Sequence, residues 1–328
     1  MFFLGLALMF SASAMAADEE VVIYSARKDH LIKPILDAYE KSTGGKSRFL
    51  TDDAAPLLAR LKAEGENTPA DMLLTVDVGN LWNAAQEGVL SPVDSKTLTT
   101  NIPAYLRDPN NTWFGLTIRA RTLVIHKDRV KENEISTYEG LAQPHWKNRL
   151  CLRSSKKVYN QSLVAMLINR MGEEKTEAMV KGWVANLAQP VFSNDTQVME
   201  AIAAGQCDVG IVNTYYYGEL MAKKPDLPLT IFWPNQQDQG VHINISGAAI
   251  TKHAKHKAAA IKLLEWFSSS EAQRLFADLN KEYPVNPAVD PTPEVSAWGT
   301  FKADTQNLEA AGKNQAKAVM LMDRAGYK

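Results

Sequence analysis

The 328-residue sequence predicts an α/β protein of two lobes joined by a hinge, and three observations carry that reading. Short apolar runs alternate with stretches of helical periodicity, and they do so in two successive series. Segments near 117–121 and 242–247 read as crossovers between the series. The length suits two domains of ordinary size. Strand–helix alternation implies a parallel sheet with helices packed on its faces.

The elements follow in order. An apolar run from Phe2 to Phe10, then Ser11-Ala12-Ser13-Ala14-Met15-Ala16 in an A-x-A pattern, predicts a signal peptide over 1–17. The run falls well short of the ~20 apolar residues that span a bilayer, so the expectation is export rather than anchoring. Val21-Val22-Ile23-Tyr24 reads as a strand, followed by a helix through Ile32, Ile35, Leu36 and Tyr39 that Gly44-Gly45 stops. Pro56 opens a second helix carrying Leu57, Leu58 and Leu61; Met72 to Val76 is a buried strand, and Leu81, Trp82 and Ala85 lie on the next helix. Trp113 to Thr117 leads through Arg119-Ala120-Arg121 into an apolar strand over 122–125.

The second series runs from Arg149 to Val212. It contains helices beginning near Ser162, around Trp183, and from Gln197 to Ala204. Ile243 to Ile250 reads as a strand returning to the first lobe, with helices over 257–267 and 271–279 behind it. A surface helix with an apolar stripe is expected from Leu308 to Met322. The lobes are accordingly 18–119 with 243–293, and 120–242 with 294–328. Ligands of such folds bind between the lobes, where strands end and helices begin.

Composition excludes several classes of function. With 36 basic and 37 acidic side chains the net charge is −1, so no field for nucleic acid or a membrane surface is implied. Two cysteines, Cys151 and Cys207, stand in an exported chain, where an even count predicts a disulfide. No Ser/His/Asp set with a recognisable signature is present, which argues for binding rather than catalysis. His253 and His256 are expected to face solvent.

Tyr215-Tyr216-Tyr217 stand where an apolar strand gives way to a helix, with Asn213 and Thr214 as N-cap candidates. A phenol has an ordinary pKa of about 10, so a cluster of them has no charge to offer at neutral pH until a cation displaces the protons. Adjacent helical residues lie about 100° apart; Tyr215 and Tyr216 can share a cleft while Tyr217 packs behind. Taken alone, the run is better explained by half-buried packing residues. Tyr159, Tyr24, Arg27, Arg119 and Arg121 shift the balance, since each stands near a strand end or a crossover. Arginine grips small oxyanions in bidentate fashion, and phenolates beside a held anion make an all-oxygen shell for a hard cation.

On these residues the chain resembles the periplasmic ferric-ion-binding proteins, the soluble receptors of iron ABC transporters. The resemblance rests on Val-Ile-Tyr-Ser-Ala-Arg (22–27), the stretches 69–77 and 113–121, Asn213 to Gly218, 244–247 and 282–285. It covers nearly the whole mature chain and implies a type II periplasmic binding protein fold. It further implies that Tyr159, Tyr215 and Tyr216 ligate Fe(3+), with carbonate or bicarbonate held by Arg119 and supported by Arg27. A monomer that delivers iron to an inner-membrane ABC permease, with no nucleic-acid partner, is the implied setting. The chain departs from the subgroup with histidine and glutamate ligands: Lys28 stands at the histidine position and Val76 near the glutamate position. His30 and Asp77 are out of register. The alternative is a receptor for a small organic or inorganic anion or a polyamine, without metal.

Overall fold

The first strand, β1 (Val21–Ser25), is buried along its whole length, as a strand covered on both faces should be. The computed structural model describes residues 19–328; the expected signal peptide lies outside the described residues. Helix α1 (Asp29–Thr43) turns Ile32, Ile35, Leu36 and Tyr39 inward and ends at Gly44, whose φ of 73° is left-handed. β2 (Ser47–Thr51), α2 (Ala54–Glu64) and β3 (Met72–Thr75) follow, and both strands pair parallel to β1. Asp77 caps α3 (Val78–Gln86) by accepting from the Gly79 amide at 2.8 Å. β4 (Leu90–Ser91) and α4 (Lys96–Asn101) lead to the long strand β5 (Phe114–His126).

The second lobe is built from β6 (Leu150–Cys151), α5 (Val158–Met171), α6 (Glu173–Ala185), α7 (Asp195–Ala203), β7 (Val209–Asn213), α8 (Thr214–Lys223) and β8 (Leu229–Phe232). β9 (Ile243–Thr251), α9 (Lys257–Phe267), α10 (Ser270–Asn280) and β10 (Tyr283–Pro284) return to the first. α11 (Pro293–Ser296), α12 (Glu309–Lys313) and α13 (Gln315–Arg324) complete the chain. Cys151 and Cys207 are joined in a disulfide that ties β6 to the residues entering β7.

Strand order β2-β1-β3-β9-β5-β7-β6 makes β5 the strand common to both lobes. Its residues 114–120 pair with β9, whereas 121–126 pair with β7 and β8. The two crossovers are therefore neighbouring antiparallel strands, with Arg119 opposite Asn244. Alternation along a strand puts Thr117, Arg119, Asn244 and Ser246 on one face of this hinge, and Ile118, Ile243 and Ile245 on the other.

One expectation needs correction. The segment from Leu308 to Met322 is two helices, not one, broken at Asn314, and it is no mere surface element. Ala310, Ala311 and Gly312 are buried between α3 and α5. A Cβ on Gly312 would lie 2.3 Å from Trp82 Cγ, so only glycine allows this approach. Periodicity reported the apolar stripe; its partners, one helix from each lobe, lie far away in sequence.

Candidate metal centre

The tyrosines come from two helix N-termini that lie side by side because the strands before them, β6 and β7, are parallel neighbours. Asn213 is the N-cap residue of α8, which puts the tyrosine run in the first turn. Tyr215 and Tyr216 line a cavity between the lobes, their rings 4.3 Å apart. Tyr217 turns away and meets Trp298 edge to face at 6.0 Å. α5 starts at Val158, earlier than the expected Ser162, because Asn160 Nδ2 ties the turn by donating to the Arg153 and Ser154 carbonyls at 2.9 and 3.0 Å. Tyr159 thereby sits in a first turn and lines the same cavity, of about 210 Å³.

The opposite wall is basic. Arg27, 3% exposed, donates to Glu282 at 2.8 Å, Ser246 Oγ at 2.7 Å and Thr117 Oγ1 at 3.3 Å. Arg119 donates to the same Ser246 hydroxyl at 3.3 Å and to the Val76 carbonyl. Ser246 therefore links the two guanidinium groups, and each retains a buried Nε–H with no partner. A buried donor left unpaired costs about 1–3 kcal/mol, so an acceptor arriving here is favoured. Lys28 and His30 line the cavity from the start of α1.

Arg153 was not singled out as functional by the sequence. Its guanidinium lies 5.4 Å from the Tyr159 ring and 5.9 Å from that of Tyr216, and Asp195 Oδ1 holds it at 3.4 Å. The signal was its place between a strand and the start of α5, the same kind of position that marked Tyr159. Arg121, by contrast, is absorbed by the fold: it bonds Asp195 at 2.6 Å, Asn160 at 2.5 Å and the Ile211 carbonyl at 3.1 Å. Tyr24 points away and donates to Glu64. Asp77 is fully buried and does not line the cavity; Gly79, Ser162 and Asn244 all donate to it. Ser154 Oγ accepts from the Lys156 amide in a local turn. His256, expected in solvent, instead approaches the buried Asp71 carboxylate at 3.1 Å.

Electrostatics hold Tyr159 and Tyr215 in the protonated form. Burial raises the Tyr159 pKa, with Tyr216 adding to the effect and Arg119 opposing it. Burial pushes Tyr215 well above the ordinary phenol value, and Tyr159 and Tyr216 push it further. Each phenolate formed makes the next harder to form. A trivalent cation among them would reverse the sign of that coupling, its three charges matching those of three phenolates. Among the described residues, no group of three or more His, Cys, Asp or Glu side chains is arranged to hold a metal. Burial also holds the Asp77 carboxyl up at about 6, against the pull of Arg119 and its hydrogen bonds.

Comparison with known proteins adds an independent line. Residues 35–303 match the family model described as bacterial extracellular solute-binding protein. The chain is 41% identical to Iron uptake protein A1 of Synechocystis sp. over 97% of this chain and 90% of that protein. Among solved structures, a Trichodesmium protein (IdiA, FutA) in complex with iron and citrate ligands superposes with a TM-score of 0.91 at 42% identity, covering 94% of this chain and all of that one. Ferric iron-binding protein A of Mannheimia haemolytica, in an open conformation, gives 0.89 at 43% identity, covering 94% of this chain and 98% of that chain.

Proposed function

The chain belongs to the bacterial extracellular solute-binding protein family, and from that membership we propose that it is a periplasmic receptor for ferric ion. The observation that carries the reading is the meeting of Tyr159, Tyr215 and Tyr216 with Arg27 and Arg119 around one interlobe cavity. Relatives named for iron uptake or ferric binding, matched along almost their whole length, support it. Three phenolates bring three negative charges to Fe(3+). A carbonate or bicarbonate on the Nε–H groups of Arg119 and Arg27 completes an oxygen shell. The guanidinium charges of Arg119, Arg27 and Arg153 offset the anion.

Capture then proceeds by closure. The lobes, 18–119 with 243–293 and 120–242 with 294–328, rotate about the paired strands β5 and β9 and exclude water from the metal. The closed, monomeric receptor presents its outer surface to an ABC permease, after removal of the leader over 1–17. Because the phenols must lose protons to bind, acid weakens capture.

The test is spectroscopic. Adding a ferric salt and bicarbonate to the apoprotein should give a visible phenolate-to-iron charge-transfer band, and Tyr159→Phe and Tyr216→Phe should each weaken iron binding. A colourless protein, or two variants with unchanged iron affinity, would refute the reading. A metal-free anion or polyamine that raises the melting temperature when iron does not would favour the alternative receptor.

A further inference from the structure

We propose that Asp77 is a positioning residue for iron capture: a buried pin that holds the tyrosine-bearing helix α5 of one lobe against the hinge and first lobe. The proposal rests on the ferric reading and adds a residue outside the metal and anion set. Four elements meet at this carboxylate. It caps α3, accepting from the Gly79 amide at 2.8 Å. Ser162 Oγ, on α5, lies 2.9 and 3.1 Å from its two oxygens. Asn244 Nδ2, on β9, donates at 2.8 Å, and Oδ1 of the same side chain accepts in turn from the Val78 amide at 3.1 Å. Arg119, on β5, lies 4.0 Å away and bonds the carbonyl of Val76 next door.

The geometry gives the pin its meaning. Ser162 is three residues beyond Tyr159, one helical turn along the same face of α5. The bond from Ser162 to Asp77 therefore sets how far Tyr159 stands from the first lobe's wall. The same carboxylate flanks Arg119, so a metal ligand and an anion holder are referenced to one point. Asp77 and Ser162 are fully or almost fully buried. Removing one partner of such a buried charged contact leaves the other unpaired, which is destabilising for the arrangement that needed it. With its oxygens engaged by donors from three elements, Asp77 acts on the metal only through Tyr159 and Arg119.

Stopped-flow release of iron to a competing chelator tests this, with Ser162→Ala as the first variant because it removes the contact and adds no bulk. Release should quicken on the order of tenfold, while the charge-transfer wavelength stays where the intact phenols put it. Asp77→Asn should also quicken release without weakening bicarbonate binding, since losing a negative charge 4.0 Å from Arg119 favours an anion there. Adding Ser162→Ala to Asp77→Asn should change release little further. Small-angle scattering of the apoprotein provides a readout without iron: Ser162→Ala should shift the population toward a larger radius. Wild-type release rates and an unchanged scattering profile in Ser162→Ala would overturn the proposal, as would two effects that simply multiply. Failure of the ferric reading looks different, since the wild type itself would then show no charge-transfer band.

Discussion

Replacing Tyr159 by phenylalanine should lower the number of protons exchanged when iron binds, and that number can be worked out from the site. In the metal-free fold, burial favours the protonated form of Tyr159 and Tyr215, and each neighbouring phenol strengthens the preference. Iron that binds through Tyr159, Tyr215 and Tyr216 must displace three phenol protons, so its affinity changes on the order of a thousandfold per pH unit near neutrality. Phenylalanine keeps the ring, which packs 5.6 Å from the Arg119 guanidinium and 5.4 Å from that of Arg153. The cavity wall therefore survives and only the oxygen is lost. The slope should fall to about a hundredfold per pH unit, a difference of about 1.4 kcal/mol for each unit. Any proton lost by bicarbonate is common to both proteins and cancels. The assay is competition against a chelator of known conditional stability at several pH values, with bicarbonate held constant. An identical slope in the two proteins would refute the assignment of Tyr159 as an ionising ligand.

Three further outcomes are expected. Burial, then Arg121 and Arg119, hold the His242 imidazole down at about 3, below the value of 6.5 it has when unfolded. Its stabilising contribution is therefore complete above pH 6.5 and is lost as pH falls toward 3, by up to about 1.4 kcal/mol per unit; urea melts of His242→Gln should show a flatter slope across that window. Reducing Cys151–Cys207, which closes a separation of 56 residues, should lower unfolding free energy by about 4 kcal/mol in the chain-entropy view, measured by denaturant titration with and without reductant. Gly312→Leu should drive α12 off Trp82 at a cost of about 1–3 kcal/mol, visible as a lower melting temperature.

How much was legible in advance follows the range of the interactions involved. Apolar periodicity is local, so β1, α1, β3, β9 and the helices behind them could be read directly. Gly44 could be read as a helix stop because only a left-handed residue ends α1 that way. Asn213 announced the start of α8 and so the turning of Tyr217 away from Tyr215 and Tyr216. Arg153 and Arg121 could not be told apart by sequence: the first lies against the Tyr159 and Tyr216 rings, whereas the second bonds Asn160 and the Ile211 carbonyl as well as Asp195. Arg27 likewise meets Glu282 at a separation of 255 residues, a pairing that no local pattern encodes.

The sequence by itself determined the class of fold, and the family resemblance it carries implied the three tyrosines to test. The fold class depends on neighbours within a few positions of chain, where strand alternation and helix caps act. Tertiary structure alone decided which arginines line the cavity, that α12 wedges between α3 and α5, and that Asp77 contacts Ser162 of α5 rather than lining the cavity. Those outcomes rest on buried polar atoms meeting across long separations. In a dry interior a partner is compulsory, and only the folded chain decides which one is within reach.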